Sequence, residues 1–392
     1  MRSHGRLAAL AVAMCLTAGC GGNDDTGLLS EEELEALGIP TAPAIEVAAP
    51  EGDGETRQTS FSQPAADAPE GELKLSLQIG ARFPIQKTIT QTLVQKSPGG
   101  AESTTKSILS MLFAIVVEAE EDGLKLMNVR YQRVRYAHEM LGERVEYDSA
   151  NPPDVIPQAA QVYHGLVDNG FSFWLGADNQ IAEVVGFDDF LKRCVRHAPR
   201  NQQEALLTQI VATQEDEGFS NFIDHSIGLL PYDPKATGRE TAVKVGETWN
   251  APKQLLMRPI PMNLDTQYTL TALTDEHAHV NIFGTISPAR STPMGSEATR
   301  SSEMMTLTGG HTIGNCVLYR ETGLPMKSRV ERRIDMQVQI DAKRKFDQHK
   351  SIVTTVEGFP TERAFRTPAT QPGASRSAGA PVEIGPRRRR DE

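Results

Sequence analysis

His277-Ala278-His279 is the pair of side chains in this chain best spaced for chemistry. Residues two apart on a strand point the same way, about 6 to 7 Å from one another, which suits two imidazoles sharing a metal ion. Ala278, Val280 and Ile282 take the apolar parity, so the histidines take the wet one. The plain reading is a solvated sheet face; a shared metal, with His311 as a third ligand, is the sharper one. Other suggestive strings each lack a residue. Gly100-Ala101-Glu102-Ser103-Thr104-Thr105-Lys106-Ser107 differs in one place from a phosphate-binding loop, where Thr105 replaces the second glycine. His138-Glu139-Met140-Leu141-Gly142 begins like the helix of a zinc protease, but Gly142 replaces the histidine needed one turn on. Neither a Gly-x-Ser-x-Gly elbow nor a Cys-x-x-Cys occurs. No catalytic residue, metal ligand or cofactor site is assigned, and the expectation is a protein that is not an enzyme and carries no cofactor.

One residue does carry a chemical expectation. Arg2, His4 and Arg6 precede an apolar run from Leu7 to Leu16, which is shorter than the roughly 20 residues a membrane-spanning helix needs. This is the form of a signal peptide. Ala18 and Gly19 directly before Cys20 resemble the lipobox of bacterial lipoproteins, with Thr17 where leucine is more usual. Cys15 follows the bulky Met14 and fits less well. The resemblance implies cleavage before Cys20 and a diacylglycerol on its thiol. Residues 1–19 are then a signal peptide, and the mature chain is tied to the extracytoplasmic side of a bacterial membrane, inner or outer.

The formal net charge of -11 is not spread over the chain. Residues 21 to 70 hold 12 Asp and Glu against Arg57 alone, which accounts for the whole excess. The remainder is close to neutral and has no basic stripe, so nucleic acid is not an expected partner. Two cysteines lie beyond the signal region, Cys194 and Cys316. An exported compartment permits a disulfide between them, whereas the place of Cys194 on an apolar helical stripe equally suits a buried thiol.

Residues 20–71 read as an acidic, disordered tether rich in Gly, Pro and Ala. One island inside it has helix signals, with Ser30 as N-cap, Glu33 three residues on, and Gly38 and Pro40 as a stop. From Leu73 the period becomes two. Leu73, Leu75, Leu77 and Ile79 predict a strand, which Ile85, Ile89 and Leu93 continue after Gly80 and Pro84. Ile108 to Val117 is apolar on both parities and predicts a strand covered on both faces, with a buried helix as the alternative. Glu121-Asp122-Gly123 turns into Leu124 to Tyr136, whose parity slips between Tyr131 and Val134 as a bulge would cause. The proline-rich loop from Asp148 to Pro157 follows, then a hairpin over Gly170 to Val185. Phe187, Phe190, Leu191, Cys194 and Val195 have helical spacing, with acids before and bases after them. Asn201 to Val211 and Phe219 to Ile227 are further helix candidates. Beyond Leu229-Leu230-Pro231, strands are predicted for Tyr268 to Leu273, Ala278 to Ile286, Met304 to Thr308 and Val317 to Tyr319. A long strand over Met326 to Ile340 alternates apolar with charged residues. After Gly358 the composition turns to Pro, Ala, Ser and Gly and closes on Arg387-Arg388-Arg389-Arg390-Asp391-Glu392, read as a solvated tail.

Val243-Lys244-Val245-Gly246-Glu247-Thr248-Trp249 repeats the form of Leu77-Gln78-Ile79-Gly80-Ala81-Arg82-Phe83, which suggests a duplication. The fold class is α+β, mainly β: two related antiparallel β-sheet halves, half-barrel or sandwich-like, at 72–186 and 231–358. A short helical insert at 187–230 joins them, and a disordered Arg-ending tail occupies 359–392. Val245-Gly246-Glu247-Thr248-Trp249 and Glu321-Thr322-Gly323-Leu324-Pro325 with Ser328 resemble an uncharacterised family of exported lipoproteins of planctomycete-type bacteria. The resemblance spans roughly residues 72 to 358. It implies a duplicated β-rich extracytoplasmic domain and adds no catalytic residue. Three roles stay open: a binding or scaffold protein of the cell envelope, a carrier of lipid or another apolar ligand in a half-barrel cavity, and an unrecognised hydrolase or metal-binding protein.

Overall fold

A computed structural model describes residues 67–96, 102–140, 142–176, 181–217, 242–256, 261–288, 304–339 and 345–359, with Ala65, Gly100, Asn179 and Leu230. The signal peptide, Cys20, the helix expected at Ser30, the helix expected over Phe219 to Ile227 and the arginine tail lie outside the described residues.

The first half contains β1 (Glu70–Glu72), β2 (Arg82–Lys96), β3 (Glu102–Glu121), β4 (Leu124–Met140) and β5 (Glu143–Asp148). A single 3-10 turn at Gln158–Ala160 leads into α1 (Gln161–His164), β6 (Gly170–Leu175) and β7 (Ile181–Val185). The insert is α2 (Phe187–Val195) and α3 (Arg200–Glu217). The second half holds β8 (Ala242–Lys244), β9 (Thr248–Leu256), β10 (Pro261–Leu273), β11 (His277–Pro288), β12 (Met304–Tyr319), β13 (Pro325–Gln339) and β14 (Lys345–Gly358). Except for β1 and β8, which pair with each other, the strands form one antiparallel sheet in the order β7-β6-β4-β3-β2-β14-β13-β12-β11-β10-β9, with β5 on the far part of β4.

The two β halves are therefore joined side by side, because β2 pairs with β14 from Ile85↔Gly358 to Lys96↔Asp347. Helix α2 rests on β6, and α3 touches β9. The insert thus touches strands near both ends of the sheet.

The alternation of β13 places Met326, Ser328, Ile334, Met336 and Val338 inward and buried, as its sequence predicts. Ile115 and Phe113 of β3 are buried on one face, Leu112 and Ala114 on the other, which confirms a central strand. The parity slip in β4 is a bulge at Gln132, since Leu112 pairs with Arg133 but Phe113 with Tyr131. The two repeated motifs are bonded alike. Gly80 N donates to Val117 O and Val117 N to Ala81 O, just as Gly246 N donates to Leu270 O and Leu270 N to Glu247 O. Both glycines have positive φ, +83° and +92°, where an L side chain is strained, so the repeated glycine is a requirement of the turn.

Two expectations change. Leu73 to Ile79 is not a strand but an extended strap across the inner side. Leu73 joins the apolar cluster of the second half, Leu77 that of the first, and Leu75 touches both. Its backbone is held by one bond to the second half, Ser76 N to Thr322 O at 3.0 Å. Met304 to Thr308 and Val317 to Tyr319 are parts of one continuous strand, β12, with a register shift between Leu307 and Gly309. Cys194 and Cys316 are both buried and free.

Candidate functional site

The densest group of titratable side chains on the inner side lies where β5 extends the end of β4. β5 is short and polar, and it pairs only with Arg135 to Met140. The corner this leaves is covered by α1, which follows the proline-rich loop and presents Tyr163 and His164. Tyr147 Oη and His164 Nδ1 share a hydrogen bond of 2.7 Å. The His164 ring meets His197 edge-on, with centroids 5.0 Å apart. Tyr136 of β4 stacks on Tyr163 at 4.5 Å and on His138 at 6.3 Å.

Burial sets the electrostatics of this corner. It pushes the Tyr147 hydroxyl up to about 12, with help from the Asp148 carboxylate. It raises Tyr136 and Tyr163, and it lowers His138 and His164, the latter also through His197. At neutral pH the corner therefore holds intact phenols and neutral imidazoles. Asp148 points to the outer face, where Arg133 donates to it at 3.1 and 2.7 Å and Arg135 lies 3.3 Å away. Burial alone would raise this carboxyl, but the Arg133 and Ala150 hydrogen bonds and the two guanidinium charges hold it below its ordinary range. A carboxylate so engaged is a poor base, and His164 meets Tyr147 and His197, neither of them a carboxylate. The group is a packed polar corner of the fold.

His138 Nε2 is buried without a hydrogen-bond partner. The folded chain resists protonating this ring, while the unfolded chain takes the proton below pH about 6.5. The contribution of neutral His138 to stability is thus complete above that pH and is lost as pH falls through its lower folded value. His138→Phe keeps the stacking surface on Tyr136, so the fall in the urea midpoint between pH 7.5 and pH 5 is expected to shrink in this variant. A midpoint difference equal to that of the unsubstituted protein would contradict the assignment.

The sequence candidates are not brought together. His277 and His279 lie on the outer parity of β11, beside buried Ala278 and Val280. His279 pairs with Val317 and His311 with Thr285, so six residues of β12, about 20 Å, separate the two imidazoles. Among the described residues no group of three or more His, Cys, Asp and Glu side chains could hold a metal. His138-Glu139-Met140 ends a strand, not a helix, and Glu102 to Ser107 begins β3. Sequence reasoning passed over Tyr147, Tyr163 and His164, whose grouping depends on a helix of four residues with no cap signal of its own. A cavity lined by Phe83, Ile85, Tyr319, Leu324 and Phe359 among others holds about 20 Å³, room for a single water.

These features define a class: an antiparallel, mainly β protein that packs helices against the inner face of its sheet. The chain belongs to DUF6263, a family of unknown function, whose model matches residues 122–325, from the β3–β4 turn to the start of β13. No curated protein matches it. Among solved structures, lipovitellin matches with 10% identity over 77% of this chain and 27% of its own, at a TM-score of 0.38. This chain thus spans about a quarter of lipovitellin. An outer-membrane channel of Pseudomonas putida F1 matches with 9% identity over 76% of this chain and 100% of its own, at 0.19. The translocator domain of the autotransporter NalP from Neisseria meningitidis matches with 6% identity over 72% and 90%, at 0.16.

Proposed function

We propose that this chain is an exported lipoprotein, fixed through Cys20 to the extracytoplasmic side of a bacterial membrane, and that it acts there as a binding or scaffold protein. The observation that carries the second part is the filled inner side of the first half. Phe113, Tyr131, Phe173 and Phe190 are all 0% exposed there. The cavity beside Phe83 and Tyr319 is far below the several hundred Å³ that an apolar ligand occupies. With the inner side of its first half filled, the protein meets partners through its surface. The lipid anchor rests on the lipobox-like Ala18-Gly19-Cys20.

A second reading, carriage of an apolar ligand, draws on one feature of the second half. Gly284, Gly310 and Gly314 surround Thr312 on the inner face of β11 and β12, and the Thr312 hydroxyl is buried without a partner. Apolar side chains flank it on both sides, Ile282 and Leu270 in one cluster and Ile286 and Ile334 in the other. Native mass spectrometry of the protein from membranes tests both parts. An acylated N-terminal Cys20 with no further bound lipid is the expected result. A free Cys20 would refute the anchor, and a stoichiometric second lipid surviving detergent exchange would replace the scaffold by the carrier.

A further inference from the structure

The contact between β5 and the helices runs through Tyr147 and two histidines, His164 and His197. His164 stands at the C-terminal end of α1 and shares its Nδ1 hydrogen bond with Tyr147 of β5. Its ring lies against His197, two residues beyond α2. His197 Nε2 accepts a hydrogen bond from Arg196 Nε at 3.2 Å. Gln203 of α3 closes the junction by donating to Ala198 O at 2.9 Å. A chain of contacts thus runs from the sheet through α1 to the α2–α3 junction.

Protonation acts on this chain at His164. A proton there places a cation against the His197 ring, whose far nitrogen is already held by the Arg196 guanidinium, at a position where burial disfavours charge. The groups that face the pair are Tyr147 from β5, Arg196 from α2, and the Tyr136 and His138 stack of β4 behind Tyr163. Asp148, next to Tyr147, is engaged on the outer face by Arg133 and Arg135. We propose that His164, set between Tyr147 and His197, forms an acid-released latch, which holds the helices on the β4–β5 corner at neutral pH and frees them as His164 becomes charged. This goes beyond the scaffold reading and does not depend on it: a scaffold so built would change its surface with pH.

Hydrogen exchange of the full-length protein at pH 7.5 and 5.5, corrected for the intrinsic rate, tests the latch. Protection of peptides covering residues 158 to 198 is expected to fall about tenfold at the lower pH, while β2, β3 and β13 keep theirs. Glutamine keeps a polar amide but does not titrate, so in the His164→Gln/His197→Gln double variant the fall is expected to vanish. The single His197→Gln variant, at an exposed position, reduces it without risk to the core. His138→Phe is expected to leave it in place. Equal protection of the unsubstituted protein at both pH values would overturn the latch. So would a full response in the double variant, or a loss spread evenly over all strands.

Discussion

Phe190→Ala is expected to destabilise the protein by about 3–5 kcal/mol, the usual range for emptying the site of a fully buried aromatic ring. Phe190 is 0% exposed and projects from α2 into the first half of the sheet. Its ring lies 5.0 Å from Phe171 of β6, 5.6 Å from Phe187 of its own helix and 6.0 Å from Tyr131 of β4. Tyr131 is paired with Phe113 of β3 and Phe171 with Val129 of β4, so neither backbone can move in to fill the space. The loss therefore includes a cavity term as well as the transfer of the ring to water. Phe190→Leu refills most of the volume and is expected to cost less than half as much. Urea unfolding checks this, with one tryptophan as reporter in each half, Trp174 on β6 and Trp249 on β9. A cost below about 1 kcal/mol for the alanine variant would mean that α2 does not support the sheet.

Phe190 was visible in the sequence because its helix advertises itself. The spacing of Phe187, Phe190, Leu191, Cys194 and Val195 is that of one helical face, and all but Phe187 are buried. The same holds for β13, where every second residue from Met326 faces inward, and for the turn glycines Gly80 and Gly246, whose positive φ the repeated motif encodes. Alternation, however, reports where side chains point and not what the backbone bonds to. Leu73, Leu75 and Leu77 alternate as a strand would, yet the chain there crosses the inner side as a strap and bridges two clusters. β12 is the opposite case. Gly309, Gly310 and Gly314 dilute its pattern, and pairing with β11 and β13 on either side holds it extended all the same. The seam of β2 with β14 and the meeting of Tyr147 with His164 and His197 join residues whose neighbours in sequence say nothing of one another. Such contacts are properties of the assembled sheet.

Asn169→Ala is the substitution with the next largest expected effect, at about 3 kcal/mol or more, and nothing in the local sequence marks the residue. Its Nδ2 lies 3.1 Å from Gly165 O, 3.3 Å from Phe190 O and 3.4 Å from Cys194 Sγ. Its Oδ1 accepts from Gly170 N at 2.9 Å and from Arg193 Nε at 2.7 Å. One amide thereby ties the end of α1, the body of α2 and the first residue of β6 to one another. Arg193 Nη2 closes the ring by donating to Gly170 O at 2.7 Å. Alanine removes all of these bonds and leaves buried carbonyls and an N–H unmet, each worth about 1–3 kcal/mol where water cannot enter. Asn169→Asp retains the acceptor for Gly170 and Arg193 but sets a carboxylate against the Phe190 and Gly165 carbonyls, so it is expected to fall between alanine and asparagine. The decisive measurement is a double-mutant cycle with Arg193→Ala. Because both side chains hold Gly170, their combined loss should be smaller than the sum of the separate ones by about 1 kcal/mol. Strictly additive losses would mean that the guanidinium is a bystander and that Asn169 joins helix to sheet without it.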